Sequence, residues 1–266
     1  MSGHSEFYNR AEWYDLAFDF RNIAKECDFL TEIARVHTGR PPASFIEFAA
    51  GPARHALEFA KRGCRSSAMD LSDEMRTYSS GVAARQGISL TYLCEDIVRF
   101  EMKERFDLAA IMMNSTAYIL SNDDFVAHLR SVANALSENG VYVLEMDHPR
   151  DIYKVGRSTT DDWEMEKDGR KVSLSWGSKD DPFDPVSGIA EVTAKMRCSE
   201  GGREFEIVER DKQRLYTVNE IKALVQLSEE FEIVALLGAL SAGVALSNAK
   251  ESWRTVVVLK KIAIRR

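Results

Sequence analysis

The stretch from Phe45 to Ser72, FIEFAAGPARHALEFAKRGCRSSAMDLS, decides the fold. It reads as a buried strand, a turn, a helix and a second strand closed by an acid, Asp70. Strand–turn–helix units of this kind commonly hold nucleotide-like ligands at the start of the helix. The turn, Ala49-Ala50-Gly51-Pro52-Ala53, stands where a glycine-rich loop would be expected.

The alternation continues on both sides of this unit. Upstream, Ile23, Cys27, Leu30 and Ala34 form one apolar stripe, predicting a helix from Phe20 to Val36 that ends at Gly39-Arg40-Pro41-Pro42. Short apolar runs at Ser44–Ala49, Ser66–Met69, Leu90–Leu93, Leu108–Met113 and Val141–Met146 suit parallel strands buried on both faces. A helix is predicted from Asn122 to Glu138. Phe125, Leu129, Val132 and Leu136 share a face there, and Asn139-Gly140 is the stop. The pattern predicts a doubly wound parallel sheet with its ligands beyond the carboxyl ends of the strands. After Pro149 the period changes to two, and Asp168-Gly169 and Gly201-Gly202 read as hairpin turns. Trp163 to Tyr216 is therefore expected to form an inserted antiparallel sheet. Thr217-x-x-Glu220 is a capping box opening another helix, and two last strands lie near Phe231–Leu236 and Thr255–Leu259.

A chain of 266 residues suffices for one large domain, or a domain with a sizeable insertion. No apolar run reaches the roughly 20 residues that cross a bilayer. The opening MSGHSEFYNRAEW has neither a basic region nor an apolar core, so no signal peptide is expected. Cys27, Cys64, Cys94 and Cys198 are far apart, reading as cytoplasmic thiols and not as a disulfide framework or metal site. A net charge of −7 argues against nucleic acid or an anionic membrane as partner, despite the basic ending KKIAIRR.

A dinucleotide fits the turn poorly. Pyrophosphate needs close backbone approach and free N–H groups, and Pro52 removes one such donor. Proline at a first helical position is good helix chemistry, and the turn suits a ligand with a ribose and an amino-acid tail but no phosphate. From Phe7 to Lys260 the chain resembles class I S-adenosylmethionine-dependent methyltransferases, particularly those acting on small molecules. The resemblance is carried by Glu47-x-Ala49-x-Gly51-x-Ala53, Arg54-His55-Ala56, Asp70, Glu95-Asp96-Ile97, Phe106-Asp107-Leu108 leading to Asn114-Ser115, Leu136 to Gly140, and Gln213 to Thr217. It implies a Rossmann-like, doubly wound seven-stranded sheet, mostly parallel, with an inserted antiparallel sheet. The expected organisation is a helical lid over residues 1–42, a cofactor-binding domain over 43–156 and 217–266, and an insert over 157–216 that roofs the pocket or makes a homodimer.

The resemblance further implies S-adenosyl-L-methionine held by Tyr14, Glu47, Ala49, Gly51, Arg54, Asp70, Leu71, Met75, Asp96, Ile97 and Met113. Asp70 would grip the ribose hydroxyls, or else cap the following helix; Glu47 would face the cofactor, or cap its own turn. Alanine at 49 is costly if a positive φ is required and cheap if only a small side chain is, and the intact surroundings favour the second. Methyl transfer is a direct displacement that needs alignment and exclusion of water more than a fixed catalytic signature. A base is needed only for a protonated or weakly acidic acceptor, and Asp147-His148 is the best-placed pair for it. His128 is expected to face solvent and His55 to pack. Tyr14 is expected at the reacting end of the cofactor, whereas Trp13 and Phe18 clasp the N-terminal helix. Asn114, Tyr118, Trp176 and Arg214 are candidate acceptor contacts, with Arg197 a further inward residue. No Pro-Pro-aromatic group follows Asn114, which argues against nucleobases. The expected reaction is methylation of a small-molecule amine, with a hydroxyl second. The alternatives are a cofactor-binding protein without turnover and, last because of Pro52, a nicotinamide-dependent oxidoreductase.

Overall fold

The computed structural model describes residues 6–152 and 161–263. Within them, α1 (Ala11–Ala17) and α2 (Ile23–Thr38) precede β1 (Ser44–Phe48), α3 (Arg54–Lys61), β2 (Arg65–Asp70), α4 (Asp73–Gln86), β3 (Thr91–Cys94) and β4 (Phe106–Ile111). There follow a 3-10 turn (Ser115–Tyr118), α5 (Asn122–Ala135), β5 (Leu136–Asp147) and a short α6 (Pro149–Ile152). Strands β6 (Asp161–Lys167), β7 (Arg170–Trp176), β8 (Phe183–Asp184), β9 (Ile189–Glu200) and β10 (Arg203–Arg214) come next, then α7 (Val218–Ser228), β11 (Phe231–Leu237) and β12 (Arg254–Lys261).

The main sheet has seven strands in the order β11-β12-β5-β4-β1-β2-β3, and β12 runs antiparallel to both of its neighbours. Its central strands are buried on both faces, which is why their sequences read as continuous apolar runs. Ile46 and Phe48 face a cluster with residues of α5 and α7, while Phe45 faces one with residues of α2 and α3. The strand order reverses between β1 and β4, opening a crevice beyond their carboxyl ends.

The second sheet is antiparallel, in the order β10-β9-β7-β6, with β8 paired to β9. Asp168 and Gly169 have φ of 51° and 77°, and Gly201 and Gly202 have 58° and 79°, matching the mirror-image turns that tight hairpins require. Packed on this sheet is α1, through Trp13, Leu16 and Ala17 against Val172, Leu174 and Met196. The sequence shows no helical stripe at α1. Its aromatic residues are buried by the second sheet and not by a helical face of their own. The expected boundary between residues 156 and 157 lies outside the described residues.

Two local expectations are corrected. Helix α5 stops at Ala135, short of Glu138, because Leu136 enters the sheet opposite Phe106. His128 is fully buried, not solvent-facing: Nδ1 bonds the Ile97 carbonyl and Nε2 the Tyr142 hydroxyl, both at 2.7 Å. Burial pushes its pKa down to about 4, against the weaker pull of the Ile97 carbonyl. A depressed folded-state value means that the neutral ring supports the fold above about pH 6.5, and that this support is lost as pH falls towards 4. The loss is expected to be on the order of 3 kcal/mol in all, of which about 2 kcal/mol falls between pH 7 and 5 and is read as a falling urea midpoint. His128→Asn should lower the midpoint and flatten that slope; an unchanged slope would reject the assignment.

Candidate active site

The turn after β1 is built from left-handed backbone. Ala49, Gly51 and Ala53 have φ of 47°, 50° and 54°. The expectation that position 49 needs only a small side chain is therefore overturned: the chain carries alanine where glycine would be relaxed, at about 1–2 kcal/mol per residue. Tertiary bonds hold the turn in place. The Ala50 N–H donates to Met69 O at 3.1 Å, Gly51 N–H to Asp70 Oδ2 at 2.8 Å, and the Tyr92 hydroxyl to Gly51 O at 2.5 Å. A Cβ at position 51 would come no nearer than 3.8 Å to the Tyr14 ring, so φ, not space, demands glycine there.

Beneath the turn lies a buried charge network. Glu47 does not reach a ligand site: it accepts from the Ala56 N–H at 2.9 Å and bonds His55 Nδ1 at 2.7 Å. His55 Nε2 bonds Glu26 at 2.7 Å. Burial disfavours the imidazolium, yet Glu47 and Glu26 outweigh it and lift the His55 pKa to about 9. Arg21 bridges Glu26 to Glu145, at 2.7 and 2.9 Å. Glu145 is fully buried; burial opposes its charge, but Arg21 and Arg254 lower its pKa to about 2. Its carboxylate also accepts from the Met113 N–H at 2.9 Å. This holds Met113 and Asn114, both left-handed at φ 57° and 60°, at the end of β4.

A cavity of about 1130 Å³ opens over these strand ends. Its wall gathers Tyr14, Ala49, Gly51, Asp70, Leu71, Ile97 and Met113 from five separate segments, and Asn114, Tyr118, Asp147, Trp176 and Arg214 besides. Burial raises the pKa of Asp70 against the pull of its backbone donors. Asp147 is raised mainly by burial, opposed by Arg254, and its Oδ2 accepts from Asn114 at 2.7 Å. Arg214 donates to Leu120 O at 3.3 Å and Glu220 at 3.4 Å, while its buried Nε lacks an acceptor.

Several sequence expectations fall away from the wall. His148 is buried: Nε2 reaches Ser247 O at 3.0 Å and Nδ1 accepts from Arg150 N–H at 3.2 Å, so both ring nitrogens are engaged. Arg54 binds Asp15 and the Phe18 carbonyl, pinning the end of α1 instead of a ligand. Met75 is fully buried in α4, and Asp96 accepts from the Val98 N–H at 2.8 Å. Arg197 points outward to Glu206. Conversely, Tyr8, Glu209, Asp211 and Gln213 line the cavity and were missed by sequence reasoning. The period-two pattern of β10 could have shown that Glu209, Asp211 and Gln213 share a face, but not which side it fronts.

The strained turn is testable through stability. Ala49→Gly should stabilise the protein by about 0.5–1 kcal/mol, because glycine relieves the left-handed strain. Ala56→Gly, inside α3, should cost about 1 kcal/mol. Urea midpoints that move in the same direction for both would refute the strain.

Comparison with known proteins agrees with this geometry. Residues 45–140 match the methyltransferase domain family. Over 138 residues the chain is 27% identical to a dTDP-4-amino-2,3,4,6-tetradeoxy-D-glucose N,N-dimethyltransferase of Saccharopolyspora spinosa, covering 52% of this chain and 54% of that protein. It is 25% identical to a dTDP-3-amino-3,4,6-trideoxy-alpha-D-glucopyranose N,N-dimethyltransferase of Streptomyces venezuelae, covering 62% and 68%. The chain thus spans about half the length of the first relative. Its fold is shared with an S-adenosylmethionine-dependent methyltransferase from Clostridium acetobutylicum, at TM-score 0.76, 20% identity and coverage of 94% and 96%. A sugar N-methyltransferase from Streptoalloteichus gives 0.73, 17%, and coverage of 94% and 93%. Residues 45–140 thus match the methyltransferase domain family, and the chain has the fold of solved S-adenosylmethionine-dependent methyltransferases.

Proposed function

We propose that the cavity binds S-adenosylmethionine and directs its methyl group to an amine nitrogen of a small molecule. The observation that carries this reading is the convergence of Tyr14, Ala49, Gly51, Asp70, Leu71, Ile97 and Met113 on one wall. The donor set suits the group: Asp70 offers carboxylate oxygens to ribose hydroxyls, Leu71 and Ile97 offer apolar surface to a base, and Tyr14 covers the turn. Pro52 and the left-handed Ala53 leave no phosphate cradle at the start of α3. The first relatives are by name N,N-dimethyltransferases of amino sugars, which favours nitrogen over oxygen.

Bound there, S-adenosylmethionine supplies a methyl carbon whose bond to sulfur breaks, leaving the electron pair on sulfur, as the acceptor nitrogen forms the new C–N bond. The chain's part is to align the nitrogen and exclude water. A protonated amine must first lose a proton, and His148 is too fully engaged to take it. Asp147 lines the cavity with Oδ2 bonded to Asn114 and Oδ1 paired with Arg254. Unlike the ring nitrogens of His148, carboxylate oxygens keep further lone pairs for a proton, and burial raises the Asp147 pKa against the pull of Arg254. The second sheet forms the opposite wall, and we read the insert as the acceptor-binding roof.

Calorimetric titration with S-adenosylhomocysteine should give binding, and Asp70→Ala should weaken it at least about tenfold, or about 1.4 kcal/mol. An unchanged affinity in a folded Asp70→Ala protein would sink this assignment. Asp147→Asn should lower kcat on an amine acceptor and leave S-adenosylhomocysteine affinity intact.

A further inference from the structure

Strand β10 runs for 12 residues, Arg203 to Arg214, and among the described residues its strand neighbour is β9 alone. The loop Gly201-Gly202 makes Glu200 and Arg203 the hydrogen-bonded pair that closes the hairpin. Bonded and non-bonded pairs alternate from there, so the odd-numbered residues of β10 spend their N–H and C=O groups on β9. Glu204, Glu206, Val208, Arg210 and Lys212 turn theirs to the free edge. All five are exposed, on the face of the strand opposite Glu209, Asp211 and Gln213.

An edge strand is a template for pairing, and charge is a usual protection against it. The opposite edge of the same sheet, β6, is protected in that way. Its Asp162, Glu164 and Glu166 share one sign and one face, so an antiparallel copy would set acid against acid. In β10 the exposed acids precede Val208 and the exposed bases follow it. An antiparallel copy centred on Val208 therefore sets Glu204 opposite Lys212 and Glu206 opposite Arg210, each twice by symmetry. These are the residues whose backbone groups reach the edge, as such pairing requires. Other registers fit worse. A two-fold axis at 206, 209 or 210 sets a charge against its own copy, and one at 207 sets Val208 against Glu206. Glu206 is already held from its own β9 by Arg197, whereas among the described residues no acid lies within ion-pair distance of Arg210 or Lys212.

We propose that the free edge of β10 is an interface with a second copy of this chain, paired antiparallel about a two-fold axis at Val208. The pairing covers Val208, which is 52% exposed in the single chain, and joins the two antiparallel sheets into one. It also fastens the strand whose other face carries Glu209, Asp211 and Gln213 on the cavity wall, so each copy steadies the cavity of the other. Contact through one strand makes a small interface, and a dimer that dissociates in the micromolar range is expected.

The test is sedimentation velocity of the full chain at concentrations from about 1 to 100 μM. Dimer should grow in with concentration and recede as sodium chloride is added. Val208→Pro removes an N–H aimed at the edge and none that β9 uses, so it should give a monomer with the circular dichroism of the parent. Glu204→Lys and Lys212→Glu should each weaken dimerisation at least about tenfold, because each sets like charges opposite one another twice. Mixed in equal amounts, those two proteins should dimerise with each other, and the double variant should regain the dimer of the parent. This rescue is specific to the register centred on Val208 and does not depend on how the proline variant folds. A chain that stays monomeric throughout, a dimer indifferent to Val208→Pro, or a mixture that associates no better than either single variant would each overturn the inference.

Discussion

The carboxylate of Glu145 is the constraint on which the rest depends. Fully buried on β5, it binds Arg21 from the N-terminal segment at 2.9 Å, Arg254 at the start of β12 at 3.0 Å, and the Met113 N–H at 2.9 Å. Burying an ion pair rarely gains much net stability, since desolvation offsets most of the attraction. What this one secures is position. Two consecutive non-glycine residues in left-handed backbone persist only where their surroundings over-determine them. At Met113 and Asn114 that is done by Glu145, whose backbone O also accepts from the Asn114 N–H at 3.0 Å, and by Asp147. Asn114 thereby reaches the cavity wall instead of continuing β4.

From Glu145 the same network runs through Arg21, Glu26 and His55 to Glu47, under the turn that follows β1. The turn after β1 and the end of β4 thus share one hydrogen-bonded support beneath the cavity wall. Its members titrate in opposite directions. His55, raised to about 9, contributes fully below about pH 6.5 and loses its contribution as pH rises through 9. Glu145, lowered to about 2, contributes above about pH 4.5 and loses its contribution as pH falls towards 2. Between about pH 4.5 and 6.5 the contributions of His55 and Glu145 are both fully present.

The second sheet gives the cavity its other half. Helix α1 is sandwiched between that sheet and the turn: Trp13 and Leu16 pack on the sheet, Arg54 binds Asp15, and the Trp163 indole donates to Ala17 O at 2.6 Å. Tyr14 is therefore positioned by residues remote from it in sequence. Near its end β10 turns Glu209, Asp211 and Gln213 towards the cavity and Arg210 and Lys212 towards solvent.

The sequence by itself determined the alternation of strands and helices, the hairpin turns of the insert, the capping box at Thr217 and the acid at Asp70. Each is local: a period of two or of 3.6, a turn that needs a positive φ, an acid at a strand end. Only the tertiary structure decided which polar groups face the ligand. Glu47, Arg54 and His148 have suitable chemistry at suitable sequence positions, yet each is consumed by a partner brought from another element: His55, Asp15 and Ser247. Asp211 carries no motif and reaches the cavity because the sheet places its face there. Periodicity tells which residues share a side, whereas what lies on that side is fixed by contacts between segments far apart in the chain.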